Sequence, residues 1–221
     1  MKVLVEPAYF GKRKGYALKK VTPDATVQDF IDAVMAAAEK GISRRRAPER
    51  KSCFGCRECC NERIPLTSID VFTMMTRLGE TGESLARFLQ RRAYVYIEGP
   101  AVDISLIPQE DGYCSFLRPD GTCLLGDDRP FVCKTFYCCP VDRKIKKLRS
   151  LIVNTGEDEL VRLWLEDLAR QGMPLQFHEA YRPAVRREDW QPNPFTGCSS
   201  YHQVFLQELC PPPFWSELHE K

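Results

Sequence analysis

The chain has 221 residues, of which 43% are hydrophobic, enough for one sizeable domain with an appendage around a packed core. Its 32 lysines and arginines against 30 acids leave a net charge of +2, so no polyelectrolyte character points to nucleic acid. No apolar run approaches the roughly 18 residues that span a bilayer. "MKVLVEPAYFGKRKG" is apolar too briefly before its basic turn to act as a signal peptide, so a cytoplasmic protein is expected.

Residues 1–42 read as a small ββα unit. "MKVLVEPAYF" and "GYALKKV" are two strands about a turn over Gly11–Gly15, and "TVQDFIDAVMAAAEKG" is a helix. Thr26 and Asp29 form its capping box. Val27, Phe30, Ile31, Val34 and Ala38 share one face, and Gly41 stops it. The order strand, turn, strand, helix resembles the opening of a ubiquitin-like β-grasp; the alternative is a hairpin and helix packed on the main domain. Residues 43–52 form a basic linker, with Arg44, Arg45, Arg46, Arg50 and Lys51 against Glu49. Without interleaved aromatics it reads as a solvated linker whose last residues offset nearby thiolate charge, rather than as an RNA site.

Residues 53–150 carry most of the cysteines. "LTSIDVFTMMTRLGE" is a helix capped by Thr67 and Asp70 and ended by Gly79, with Met74 and Met75 as core filling. "GESLARFLQRRA" gives a shorter helix through Leu85, Phe88 and Leu89. "AYVYIEG" and "AVDISLIP" form a hairpin around Gly99-Pro100. Asp127 or Asp128 is expected to cap a turn that has Pro130 at its first helical position. Over residues 151–221 a helix opens at Gly156, with Leu160, Leu163, Trp164 and Leu168 on one face. A Pro-rich tail then wraps the core, and Pro211–Pro213 is a candidate polyproline ligand.

The chain has 11 cysteines. Dense cysteine in a reducing compartment points to metal more than to disulfides, and Cys59-Cys60 and Cys138-Cys139 are neighbours that bridge only with strain. The first run, "CFGCRECC", holds Cys53, Cys56, Cys59 and Cys60. At about 100° per residue, helical positions i, i+3, i+6 and i+7 fall within an arc of roughly 120°, and Cys-x-x-Cys turns in a loop converge equally well. Cys114, Cys123, Cys133, Cys138 and Cys139 follow, and sequence-distant ligands of this kind close a site once the fold forms. Cys198 and Cys210 read as isolated buried thiols, and His178, His202 and His219 as surface or satisfied core residues.

"CFGCRECC" followed by "YCSFL", "GTC", "DDRP" and "VCKTFY" resembles the CxxCxxCC family of zinc- or iron-chelating proteins over residues 50–140. The resemblance implies ligands at Cys53, Cys56, Cys59, Cys60, Cys114, Cys123 and Cys133, with Arg129-Pro130 as its R-P element. It does not cover Cys138 and Cys139, which are extra ligands or a redox pair. The family is related to flagellin lysine-N-methylases, which implies a rival reading as an S-adenosylmethionine-dependent protein methyltransferase; a third reading is a zinc-stapled interaction module.

A Cys-x-x-Cys-x-x-Cys run with a later Cys-Pro element, here Cys139-Pro140, resembles ferredoxin-type [4Fe–4S] ligation, whereas the same thiols would fill zinc sites. The balance leans to iron–sulfur. Arg57, Arg63, Arg129 and Lys134 are available to offset the charge. The expectation is an α+β protein: an irregular cysteine-rich metal-binding domain with short helices and a hairpin, a small N-terminal ββα unit, and a protein or redox partner.

Overall fold

A computed structural model describes residues 1–45 and 56–219 of the chain. It is a mixed α and β structure. Strands β1 (Val3–Phe10) and β2 (Arg13–Val21) pair antiparallel about a turn of only Gly11-Lys12, tighter than the five-residue loop expected, with Gly11 at φ 64°. Gly15 therefore lies inside β2. A Cβ there would sit 1.7 Å from the carbonyl oxygen of Pro140, so glycine admits the close approach of that segment. Helix α1 (Val27–Glu39) carries the Thr26/Asp29 capping box and buries the whole expected face.

Helix α2 (Ser68–Leu78) is closed by the Thr67/Asp70 box at one end and by Gly79 at φ 70° at the other. Helix α3 (Leu85–Arg92) leads into β3 (Ala93–Glu98), which pairs antiparallel with β4 (Ala101–Leu106). A short strand not foreseen from the sequence, β5 (Glu179–Tyr181), adds parallel to the other edge of β3. Helix α4 (Phe131–Thr135) follows a 3-10 turn over Gly126–Asp128. Pro130 stands at its N-cap rather than its first helical position, and neither Asp127 nor Asp128 caps it. Asp70 of α2 accepts the Phe131 N–H instead, at 2.8 Å.

The helix expected to open at Gly156 opens at Arg143 as α5 (Arg143–Gln171), running across the 150/151 boundary drawn from the sequence. Gly156 is a packing residue within it: an added Cβ would lie 2.6 Å from Thr67 Cγ2. The tail contains the short helix α6 (Leu206–Leu209) and α7 (Pro212–His219). Pro212 and Pro213 therefore occupy a first helical turn, where their missing N–H groups cost nothing, and form no polyproline ligand.

Two apolar cores share α5. The first joins the hairpin, α1, the tail and the Ile145, Leu148 and Ile152 half of α5. The second joins α2, α3, β3 and β4 to the Leu160, Trp164 and Leu168 half, and takes in Cys114, Phe116 and Leu125. The N-terminal ββα unit packs into the first core with Phe131 and the tail, and its sheet is two-stranded among the described residues. No helix among those residues is long and apolar enough to cross a membrane.

Candidate metal centre

Cys53 lies outside the described residues, as do Arg46, Glu49, Arg50 and Lys51 of the linker. From Cys56 onward the first run is a turn, not a helix. The Cys60 N–H donates to the Arg57 carbonyl at 2.9 Å, and the Glu62 N–H to that of Cys59 at 3.3 Å. The Cys60 carbonyl in turn accepts the Cys114 N–H at 2.7 Å, which pins the first run to the second cysteine segment.

That segment folds on itself through "LRPDGTC". Leu117 and Cys123 pair across a turn in which Gly121 takes φ 81°, and Asp120 accepts from the N–H and hydroxyl of Thr122 at 2.9 and 2.7 Å. Cys114 and Cys123 are thereby brought together. Cys133 arrives from the middle of α4.

The outcome is a convergence of five thiols from three segments. Cys60 lies within electrostatic reach of Cys56 and Cys123, Cys114 of Cys123 and Cys60, and Cys133 of Cys114, Asp70, Cys123 and Cys60. Burial first, and these neighbours next, push the Cys60 thiol up, the Cys114 thiol to about 11, and the Cys133 thiol well above its ordinary range. Nearby donors oppose the rise, the Leu117 N–H among them at Cys114. Arg129 favours a thiolate at Cys60, and the Phe116 N–H donates to Cys114 Sγ at 3.5 Å. Cys59, half-buried, shares the turn with Cys60.

No three or more Cys, His, Asp or Glu side chains among the described residues stand ready-spaced around an ion. The donor chemistry nevertheless fits a thiophilic group. Soft sulfurs converge from three segments, and Arg129 Nε is buried beside them without a hydrogen-bond acceptor. An anionic metal–thiolate group would give that N–H its acceptor and would reverse the penalty on the thiolates of Cys60, Cys114 and Cys133.

Cys138 and Cys139 lie elsewhere. Cys139 packs against the first core, whereas Cys60, Cys123 and Cys133 pack against the second. Near Cys139 stand the hydroxyl of Tyr16 and the guanidiniums of Arg149 and Arg44. Burial pushes the Cys139 thiol up to about 11 against the pull of Arg149 and then Arg44. Arg44 is only 7% exposed, so this part of the linker is not solvated as expected; its charge serves Cys139. Cys198 faces Glu208 and Glu159, and Cys210 faces Lys147, both apart from the five. All ten described cysteines are unbridged.

His178 accepts the Val95 N–H at its Nδ1 and stacks on Tyr94, and His219 stacks on Trp215. The sequence did not single out Tyr201 or Arg149, and it marked Asp70 only as a cap. The non-local partners that give these residues their roles left no local signal. No family model, curated protein or solved structure compared with the chain matches it.

Proposed function

We propose that the protein binds a metal centre, an iron–sulfur cluster before zinc, through Cys56, Cys60, Cys114, Cys123 and Cys133, with Cys53 and Cys59 of the same run completing the ligand set. The observation that carries this reading is the convergence of five thiols from three chain segments beside the unsatisfied Nε–H of Arg129. A [4Fe–4S] cluster supplies one-electron transfer, while zinc supplies a rigid cross-link. The thiolates hold the group; the Arg129 guanidinium and the Phe116 N–H stabilise their charge.

The test is anaerobic reconstitution with iron and sulfide in competition with zinc, read by elemental analysis and visible absorption on one sample. A brown product with about four iron and four sulfide per site supports the cluster. A colourless product with about one or two zinc ions per chain supports the cross-link instead. Cys60→Ser and Cys123→Ser should each lose most of the bound group. Full occupancy in both variants, or no uptake of either metal by the wild type, would sink the reading.

A further inference from the structure

Helix α4, which delivers Cys133, is five residues long, too short to hold its own conformation in water. Its placement depends on groups outside it. At its N-terminus the Phe131 N–H donates to Asp70 Oδ1 at 2.8 Å, and the same oxygen accepts the hydroxyl of Tyr201, from the C-terminal segment, at 2.7 Å. The other oxygen accepts the Thr67 N–H at 3.0 Å, and Thr67 Oγ1 bonds the Tyr201 hydroxyl at 2.7 Å. Asp70 and Tyr201 are buried, and the Tyr201 ring lies against that of Phe131 with centroids 5.9 Å apart. At the other end the Thr135 carbonyl accepts from Arg149 Nη1 at 2.8 Å and from the Tyr16 hydroxyl at 3.2 Å.

This arrangement exceeds what a helix cap needs. Thr67 and Asp70 already close the first turn of α2 by themselves. The remaining carboxylate oxygen spans to a second helix and draws a tyrosine from the far end of the chain. We infer that Asp70, oriented by Tyr201, is a positioning residue that fixes Cys133 among the other thiols, so that the C-terminal segment helps to build the site.

The inference rests on the metal-binding reading for its consequence but not for its first test. In metal-free protein, the rate at which iodoacetamide alkylates Cys133 is mapped by mass spectrometry, with the remote, buried Cys210 as internal reference. Loss of the Phe131 N–H bond should raise the Cys133 rate relative to Cys210 by about tenfold or more in Asp70→Ala. Because that change also removes the Asp70 charge, which holds the Cys133 thiol up, Tyr201→Phe, which keeps the carboxyl, is the deciding variant. Asp70→Asn retains an acceptor and should fall between Asp70→Ala and the wild type. Tyr201→Phe, the milder change, should raise the ratio in the same direction should Asp70→Ala fold poorly. Equal ratios in Tyr201→Phe and wild type, or a parallel rise at Cys210, would overturn the positioning role.

The second readout is cobalt(II) titration, which reports thiolate ligation through sulfur-to-metal absorption. Asp70→Ala should reproduce the weakened spectrum of Cys133→Ser, and the double variant should add nothing further. Independent, additive losses would overturn the coupling. A wild type with no thiolate–cobalt absorption would instead reject the metal-binding reading, leaving the alkylation ratios to decide the positioning of Cys133.

Discussion

Replacing Gly156 by alanine should destabilise the protein, against the usual direction of such a change in a helix. In a helix interior with open space, Gly→Ala gains about 1 kcal/mol from backbone entropy and propensity. Here the new methyl would meet Thr67 Cγ2 at 2.6 Å, Thr67 Cβ at 2.7 Å and Phe195 Cε1 at 2.9 Å. Thr67 cannot turn away cheaply, because its hydroxyl accepts the Asp70 N–H at 3.2 Å and bonds Tyr201. Overpacking of this kind costs about 3 kcal/mol at the upper end of its usual range, leaving a net loss of about 2 kcal/mol. For a chain of this size that corresponds to a fall in Tm of about 4–8 °C. Urea and thermal unfolding of Gly156→Ala measure it, and Thr67→Ser in the same background should recover part of the loss by removing Cγ2. A Gly156→Ala protein as stable as the wild type, or more so, would refute the close-packing argument.

Two further outcomes follow from buried groups. Burial raises the Glu157 carboxyl from 4.5 to about 8, although it accepts the Ile104 N–H at 2.7 Å. The folded state then holds a proton that the unfolded state releases, so stability should fall as pH rises from about 4.5 through about 8. Glu157→Gln should flatten that slope in urea midpoints taken across the range, and an unchanged slope would contradict the assignment. Cys198→Ala and Cys210→Ala should leave metal content at the wild-type level, with a packing cost of at most about 1–2 kcal/mol. Metal loss in either variant would bring the tail thiols into the site.

The elements written in local code were readable from the sequence. The capping boxes at Thr26 and Thr67 use residues three apart, Gly79 needs only its own backbone freedom, and the 93–106 hairpin alternates around a turn. What escaped depends on distant partners. The cap of α4 comes from Asp70, 61 residues away, so the nearby Asp127 and Asp128 misled. Gly156 looks like a helix opener because the threonine that requires its missing side chain belongs to another helix. Strand β5 is three residues without a β-branched side chain and exists because β3 offers it an edge. The cysteine spacing predicts that thiols gather, and Cys60, Cys114, Cys123 and Cys133 do lie within electrostatic reach of one another. It gave no sign that Cys139, only a few residues beyond Cys133, packs against the other core.

That last separation follows from α4. A chain that leaves Cys133 in the second core must cross to the first before it can enter α5, and α4 with Val132 packed against both cores is the crossing. Residues 107–130 ahead of it have little regular structure: two isolated bridges, Pro108 to Cys114 and Leu117 to Cys123, and one 3-10 turn. Stretches this long and irregular are uncommon inside compact domains unless something besides secondary structure ties them down. Phe116 and Leu125 supply some apolar anchorage. The polar anchorage includes the Ile107 N–H on the Arg92 carbonyl, the backbone bond from Cys114 to Cys60, the Arg77–Asp128 ion pair and the Asp70 clamp on α4. Between those anchors the chain brings Cys114 and Cys123 within electrostatic reach of Cys60 and Cys133, so a cross-link through sulfur would add a tie to a segment held mainly by turns. On the proposed metal-binding reading, folding of this region and filling of the thiol cluster would be one event.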